Sequence, residues 1–333
     1  MEVYLANTPY HLILSIINGC LRRDSMVFLL DMTGALERYA GAEFAAFFNG
    51  RFRYVKLGSV HVAQKIINRN SLLAPITGSK TADVVEFILR RRPECVYAFN
   101  DSFPEVQYIL SRCKNFGAKY IEDGSAPYNS HSVKHSIPQL AQKILYGIYY
   151  DRINVLGTSR YVDENIFCYP QFARKENMAK PISQLAYEAD SKLDLCRFSK
   201  LFDLEDLVRE IGDLPINLFL LPPFENDSVV YLFERLVKES GGVSLVKQHP
   251  LSKLPLSPIL NFVEVNSFIP AEALLFRFKN IQAVYGYPTT TLLATKYLMP
   301  EVAVYCVLPD GSGDNFFIDN LMRSGVEIIR SSV

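Results

Sequence analysis

Short apolar runs recur along this chain, each ending abruptly in polar or turn-forming residues, with helical spacing between them. Glu2–Ala6 predicts a first strand, closed by Asn7-Thr8-Pro9-Tyr10-His11. Thr8 before Pro9 is a good helix start, since a hydroxyl can take an unpaired first-turn N–H and proline suits the first helical position. The apolar residues after it carry that helix to about Leu21. Ser25–Asp31 predicts a second strand and Phe52–Leu57 a weaker third. Helical periodicity returns over Val62–Ile67 and Thr81–Arg91, followed by a strand at Cys95–Phe99, a helix over Pro104–Phe116 and a strand at Lys119–Ile121.

From about Ser159 to Asp213 strand signals are few, and the stretch reads as helical and loop-like connection. Pro215–Leu221 then predicts a buried strand, and a helix follows from about Ser228 to Glu239. Val243–Lys247 is an apolar run around one serine, stopped by Gln248-His249-Pro250. Proline has no N–H for a sheet ladder, so the strand must end there. Strands at Asn261–Val265, around Tyr285 and at Val302–Val307 alternate with helices from Pro270, after Thr289 and near Asn315–Arg323. Strand and helix alternating at short intervals predict parallel sheets covered by helices on both faces. The expected fold class is therefore α/β, in two doubly wound, Rossmann-like units. The first is expected over residues 1–155 and the second over 156–333, with 156–213 as a connecting segment.

Composition narrows the partners. A chain of 333 residues exceeds what one core usually supports, which agrees with two domains. Lysine and arginine number 35 and aspartate and glutamate 35, so no basic surplus argues for nucleic acid. No stretch reaches the roughly 18 unbroken apolar residues of a membrane span. Met1 leads directly into a strand with no cationic segment or cleavage site, and six cysteines are scattered without paired spacing. These features predict a cytoplasmic location and buried free thiols.

Three strand ends carry the candidate chemistry, because ligands in open α/β sheets bind at the carboxyl ends of strands. Glu122-Asp123-Gly124-Ser125 places two carboxylates before a glycine turn. Neighbouring carboxylates raise each other's proton affinity, and a carboxylate near neutrality can take a proton from a hydroxyl. An Asx-type turn built on Asp123 explains the same residues. His249, with Lys247, could stabilise a departing phosphate oxygen, or it could cap a local carbonyl. Pro288-Thr289-Thr290-Thr291 reads as a helix start whose free N–H groups and hydroxyls suit a phosphate, or as an ordinary cap. His11 lies at the first strand-to-helix turn, on the same edge. His61, His131 and His135 read as surface or loop residues. The four-residue spacing of His131 and His135 falls in a loop-like stretch, so no resident metal is expected. No glycine-rich dinucleotide or triphosphate loop is present.

Taken in order, these motifs resemble those of bacterial sialyltransferases of glycosyltransferase family 52, and more loosely the bacterial polysialyltransferases. The resemblance rests on Glu122-Asp123-Gly124 (acid–acid–Gly), His249-Pro250 (the HP motif) and Thr289-Thr290 at the Ser/Thr motif, with Asn7-Thr8-Pro9-Tyr10-His11 also similar. It implies a GT-B fold, two Rossmann-like domains facing across a cleft, and inverting transfer of sialic acid from CMP-sialic acid to a galactose-terminated glycan. By that resemblance Asp123 is the general base with Glu122 its neighbour, and His249 assists the phosphate. Thr289, Thr290, Lys247 and Gly124 attend the nucleotide and its phosphate, Glu272 grips the ribose, and Asn7, Thr8 and His11 lie on the acceptor side. No cofactor or metal is implied. Another CMP-activated nonulosonate or Kdo would suit the same motifs, as would a non-catalytic nucleotide-sugar-binding protein. A lipid-linked acceptor would bring the chain to the inner membrane face, where Lys134–Arg152 could lie as an interfacial helix. A homodimer is compatible with the sequence.

Overall fold

The computed structural model describes the chain except for residues 22, 33, 58–78, 130–131, 134–137, 188–193, 223–226, 250–260, 310–314 and 331–333. The chain divides into two compact units, Met1–Ser191 and Lys192–Val333.

The first unit holds seven parallel strands: β1 (Glu2–Ala6), β2 (Ser25–Asp31), β3 (Phe52–Lys56), β4 (Cys95–Ala98), β5 (Gly117–Ile121), β6 (Glu164–Phe167) and β7 (Ile182–Gln184). Their order in the sheet is β3-β2-β1-β4-β5-β6-β7, with every pairing parallel. β2 is buried along its whole length and β1 over its last four residues, as expected of central strands covered on both faces. The helices of this unit are α1 (Pro9–Ile17), α2 (Ala42–Phe47), α3 (Ser79–Arg91), α4 (Pro104–Arg112) and α5 (Gln139–Tyr146). α1 starts as expected: the Thr8 side chain accepts from the His11 N–H, and Pro9 occupies the first turn.

The second unit carries β8 (Ile216–Leu220), β9 (Val243–Lys247), β10 (Val263–Val265), β11 (Ile281–Gly286), β12 (Ala303–Leu308) and β13 (Glu327–Arg330). Their order is β10-β9-β8-β11-β12-β13, again all parallel. Its helices are α6 (Leu195–Leu201), α7 (Glu205–Ile211), α8 (Asp227–Glu239), α9 (Ala271–Arg277), α10 (Thr290–Leu298) and α11 (Phe316–Arg323). The apolar face of α8 (Val229, Leu232, Phe233, Val237) packs with Phe219, Val246 and Val307 from three strands. Phe219, Tyr285 and Tyr305 occupy paired positions on β8, β11 and β12 and stack face to face at 4.8 and 4.9 Å. Such neighbours across a sheet stabilise its register.

Three expectations need correction. The first unit does not end near residue 155, because β6 and β7 lie inside the presumed connection and extend the first sheet. At four and three residues they are too short to display a period. The edge strand β13 was also missed, and the strand expected over Asn261–Val265 forms only at its end. The helix expected over Val62–Ile67, together with His61, His131 and His135, lies outside the described residues. In the stretch expected at a membrane interface, α5 exposes Leu140 (73%), and the turn after it exposes Ile148 (90%). No helix among the described residues is long and apolar enough to cross a membrane.

Candidate functional site

In each sheet the direction of strand addition reverses between its first strand and the fourth: at β1/β4 in one unit and β8/β11 in the other. The carboxyl ends of strands at such a reversal form a natural ligand site. Each unit gathers polar side chains there.

In the first unit, Asp123 follows the end of β5, and its side chain keeps 25% exposure. The His11 Nε2 lies 2.9 Å from its Oδ1, and the Asn100 amide donates to its Oδ2 at 2.7 Å. The Asn7 N–H donates to the His11 Nδ1 at 3.1 Å, which leaves Nε2 as the nitrogen carrying a proton toward Asp123. His11 is fully buried and stacks on Phe99, with ring centroids 4.6 Å apart. The imidazole therefore has one orientation. Residues after β1, β4 and β5 thus converge on one carboxylate. Burial alone would raise its proton affinity, but the electrostatic interaction and hydrogen bond with His11 and the hydrogen bond from the Asn100 amide outweigh it and hold the carboxyl below its ordinary value. This corrects the expectation that a neighbouring acid would push Asp123 toward neutrality.

Glu122 faces different surroundings. It is 2% exposed and accepts from the Tyr128 hydroxyl, the Cys168 N–H (2.6 Å) and the Tyr10 hydroxyl (3.5 Å). Burial raises its proton affinity. Its oxygens are engaged in tying β5 to the residues after β6. Gly124, expected near the nucleotide, makes the turn beside Asp123 at φ +60°, where a side chain would be strained. Asn100 was missed by sequence reasoning, although Ala98-Phe99-Asn100-Asp101 stops in polar residues as the other motifs do.

The second unit builds its cluster from β9, α9 and α10. Lys247, the last residue of β9, is buried, and its Nζ donates to the Ser267 carbonyl at 2.8 Å and the Gln248 carbonyl at 3.3 Å. Burial lowers its pKa to about 8, with the charge of Glu272 opposing. Glu272, in the first turn of α9, is buried with its proton affinity raised by that burial, and it accepts from the Thr291 hydroxyl at 2.7 Å. Thr291 thus joins the first turns of α9 and α10, a role the motif reading left unassigned. His249 is partly buried just beyond β9; burial, then the Lys247 charge, lowers its proton affinity. Thr289 is the cap residue of α10, yet its side chain makes no capping bond, and its Oγ1 is buried without a partner. The expected side-chain cap is therefore absent, and Thr290 begins the helix itself. Gly286 ends β11 where an added Cβ would crowd Leu292 at 3.0 Å and Leu220 at 3.3 Å, so glycine eases the close approach of α10 to the sheet. Among the described residues no three His, Cys, Asp or Glu side chains converge as a metal site.

No family model matches the sequence, and no curated protein matches it. Solved structures do resemble it. An α/β-galactoside α-2,3-sialyltransferase from Photobacterium phosphoreum is 13% identical, with 98% of this chain and 97% of that chain covered and a TM-score of 0.61. The glycosyltransferase SnogD from Streptomyces nogalater is 13% identical (99% and 87% covered, TM-score 0.54). A UDP-GlcNAc 2-epimerase from Neisseria meningitidis is 11% identical (100% and 88% covered, TM-score 0.53). Identities this low carry the fold alone: two parallel-sheet, Rossmann-like α/β domains of the GT-B type.

Proposed function

We propose that this chain is an inverting glycosyltransferase that moves sialic acid from CMP-sialic acid to a hydroxyl of a galactose-terminated glycan, without a resident metal or cofactor. The observation that carries the reading is Asp123: an ionised, partly exposed carboxylate, oriented by His11 and Asn100 at the carboxyl edge of a doubly wound sheet. Such a group can accept the proton of an attacking hydroxyl. In the transfer, the acceptor oxygen bonds to the anomeric carbon as the bond from that carbon to the phosphate oxygen breaks. The proton passes to Asp123 and CMP departs with the electron pair.

The second cluster suits the departing monophosphate. In this reading the first-turn N–H groups of α10 donate to the phosphate, and Lys247 adds positive charge. His249 supplies a further hydrogen bond, and Thr289 and Thr290 stand at the helix start. Glu272, tied to Thr291, is assigned to the ribose hydroxyls. Fixed donors of this kind stabilise charge that develops on a leaving group. Incubation with CMP-sialic acid and a panel of galactosides, with CMP release and product followed by NMR, tests the proposal. CMP release that stays at the rate of spontaneous hydrolysis with every acceptor would end it.

Lys247 gives this reading a pH signature. Its ammonium is present below about 8 and lost above it. The KM for the CMP donor is expected to rise as pH passes through that value. Lys247→Met should raise donor KM about 10-fold at pH 7 and flatten this alkaline rise. A parent whose donor KM stays level from pH 7 to 9.5 would remove Lys247 from the phosphate's surroundings.

The exposed Leu140 and Ile148 support a peripheral membrane contact for a lipid-linked acceptor, with Lys143 on the same helix as the basic residue. Ile148→Asp is expected to lower co-sedimentation with vesicles containing phosphatidylglycerol several-fold. Equal sedimentation of parent and variant would sink this contact while leaving the transfer reaction untouched.

A further inference from the structure

Asn7 is the first residue beyond β1, at the reversal of the first sheet, and is 8% exposed. Both polar atoms of its side chain, Oδ1 and Nδ2, are buried with no hydrogen-bond partner. Buried amides in folded proteins are nearly always paired, so an orphaned one calls for a cause. Among the described residues this amide is distinctive. Asn165 and Asn177 each have an unpaired Oδ1, but their Nδ2 atoms donate to the Asn177 and Leu156 carbonyls. Among the described residues only Asn7 has both atoms of a side-chain amide buried without a partner.

Its place is equally specific. The Asn7 backbone N–H holds the His11 ring that holds Asp123, so the main chain of Asn7 stands one imidazole away from the proposed base. Replacing Asn7 would spare that bond, because it comes from the main chain. The side chain therefore contributes nothing visible to the Asp123 arrangement. What it offers is one donor and one acceptor, side by side.

We propose that Asn7 is an acceptor-binding residue whose carboxamide takes two neighbouring hydroxyls of the acceptor sugar, one donating to Oδ1 and the next accepting from Nδ2. This rests on the glycosyl-transfer reading of Asp123 and extends it to the acceptor's chemistry: a pyranose with a vicinal diol beside the reacting hydroxyl. A bidentate amide–diol pair discriminates well, because an acceptor lacking one hydroxyl leaves a buried amide atom unpaired. Since both amide atoms are closed to solvent, the neighbouring side chains must shift as the sugar enters.

The experiment compares the parent with Asn7→Ala and Asn7→Asp, using methyl β-galactopyranoside, methyl β-glucopyranoside and their monodeoxy forms. Acceptor KM is expected to rise at least 10-fold in both variants, with donor KM unchanged and Tm unchanged or higher. One monodeoxy acceptor should lose as much as the substitution does in the parent and little more in Asn7→Ala. A fall in Tm with acceptor KM unaltered would mean that the amide serves an internal water network, and would overturn the proposal. So would additive losses from deoxygenation and substitution. Saturation-transfer NMR with the same glycosides separates this proposal from the reaction itself. Binding by the parent but not by Asn7→Ala upholds the amide's role even if no transfer occurs, and binding by both, or by neither, refutes it.

Discussion

Asp123→Asn is expected to lower kcat for transfer by about 10²–10⁴-fold, the usual worth of a positioned general base. Two features make this a loss of chemistry rather than of fold. The side chain is partly exposed, and the turn is made by Gly124 and by the Asp123 N–H donating to the Tyr120 hydroxyl at 2.9 Å. An amide keeps the His11 bond through its oxygen but sets its NH₂ against the Asn100 Nδ2. That donor cannot simply turn over, because the Asn100 Oδ1 already accepts from the N–H and hydroxyl of Ser102. Stability should therefore fall by about 1–3 kcal/mol. Binding of CMP, assigned to the second unit, should be unchanged by calorimetry. The lowered proton affinity of Asp123 also gives a direction in pH. The carboxylate stays ionised as pH falls through the ordinary carboxylate range, so the acid limb of kcat/KM should lie below that range. Near-parental transfer by the variant would remove Asp123 from the reaction.

The sequence made the fold legible wherever a strand was long and ended sharply. Val243–Lys247 and Ser25–Asp31 are mostly apolar and end sharply, and both form strands flanked on each side in their sheets. β6 and β7 escaped because ENIF and ISQ are too short to show periodicity, and they become strands by pairing with β5 and one another. The site was legible as a set of strand ends, and the structure brings His11 and Asp123 together at one of them. Which carboxylate faces outward was not legible. Successive residues leaving a strand point to opposite sides, and only the tertiary partners reveal which is enclosed. Asn100 was hidden for a related reason: its role depends on β4 lying between β1 and β5, a matter of topology rather than of local pattern. The Thr289 cap failed differently. Its backbone adopts the cap conformation, but its hydroxyl is turned inward and spends no bond on the helix.

Glu122 should behave as the opposite of its neighbour. Replacing it with alanine leaves the Tyr128 hydroxyl and the Cys168 N–H buried without an acceptor. Each lost partner costs about 1–3 kcal/mol, so Glu122→Ala is expected to lower stability by about 2–5 kcal/mol in a denaturant titration. Glu122→Gln should be nearly silent, for a geometric reason. Tyr128 and Cys168 both donate to the same oxygen, Oε2, which a glutamine carbonyl can replace; the NH₂ then meets the Tyr10 hydroxyl, which can accept. The two proteins should nevertheless differ in pH dependence. Burial raises the proton affinity of Glu122 in the folded chain, so the folded state binds this proton more tightly than the unfolded state does. Parent stability from this group is then fully present below the unfolded carboxyl value and is lost as pH rises through the folded one. The glutamine variant lacks that loss. Its stability relative to the parent should therefore climb with rising pH across this window, while its kcat at neutral pH stays within a few-fold of the parent's. A large fall in kcat for Glu122→Gln at unchanged stability would return this carboxylate to the chemistry and leave the division between the two acids without support.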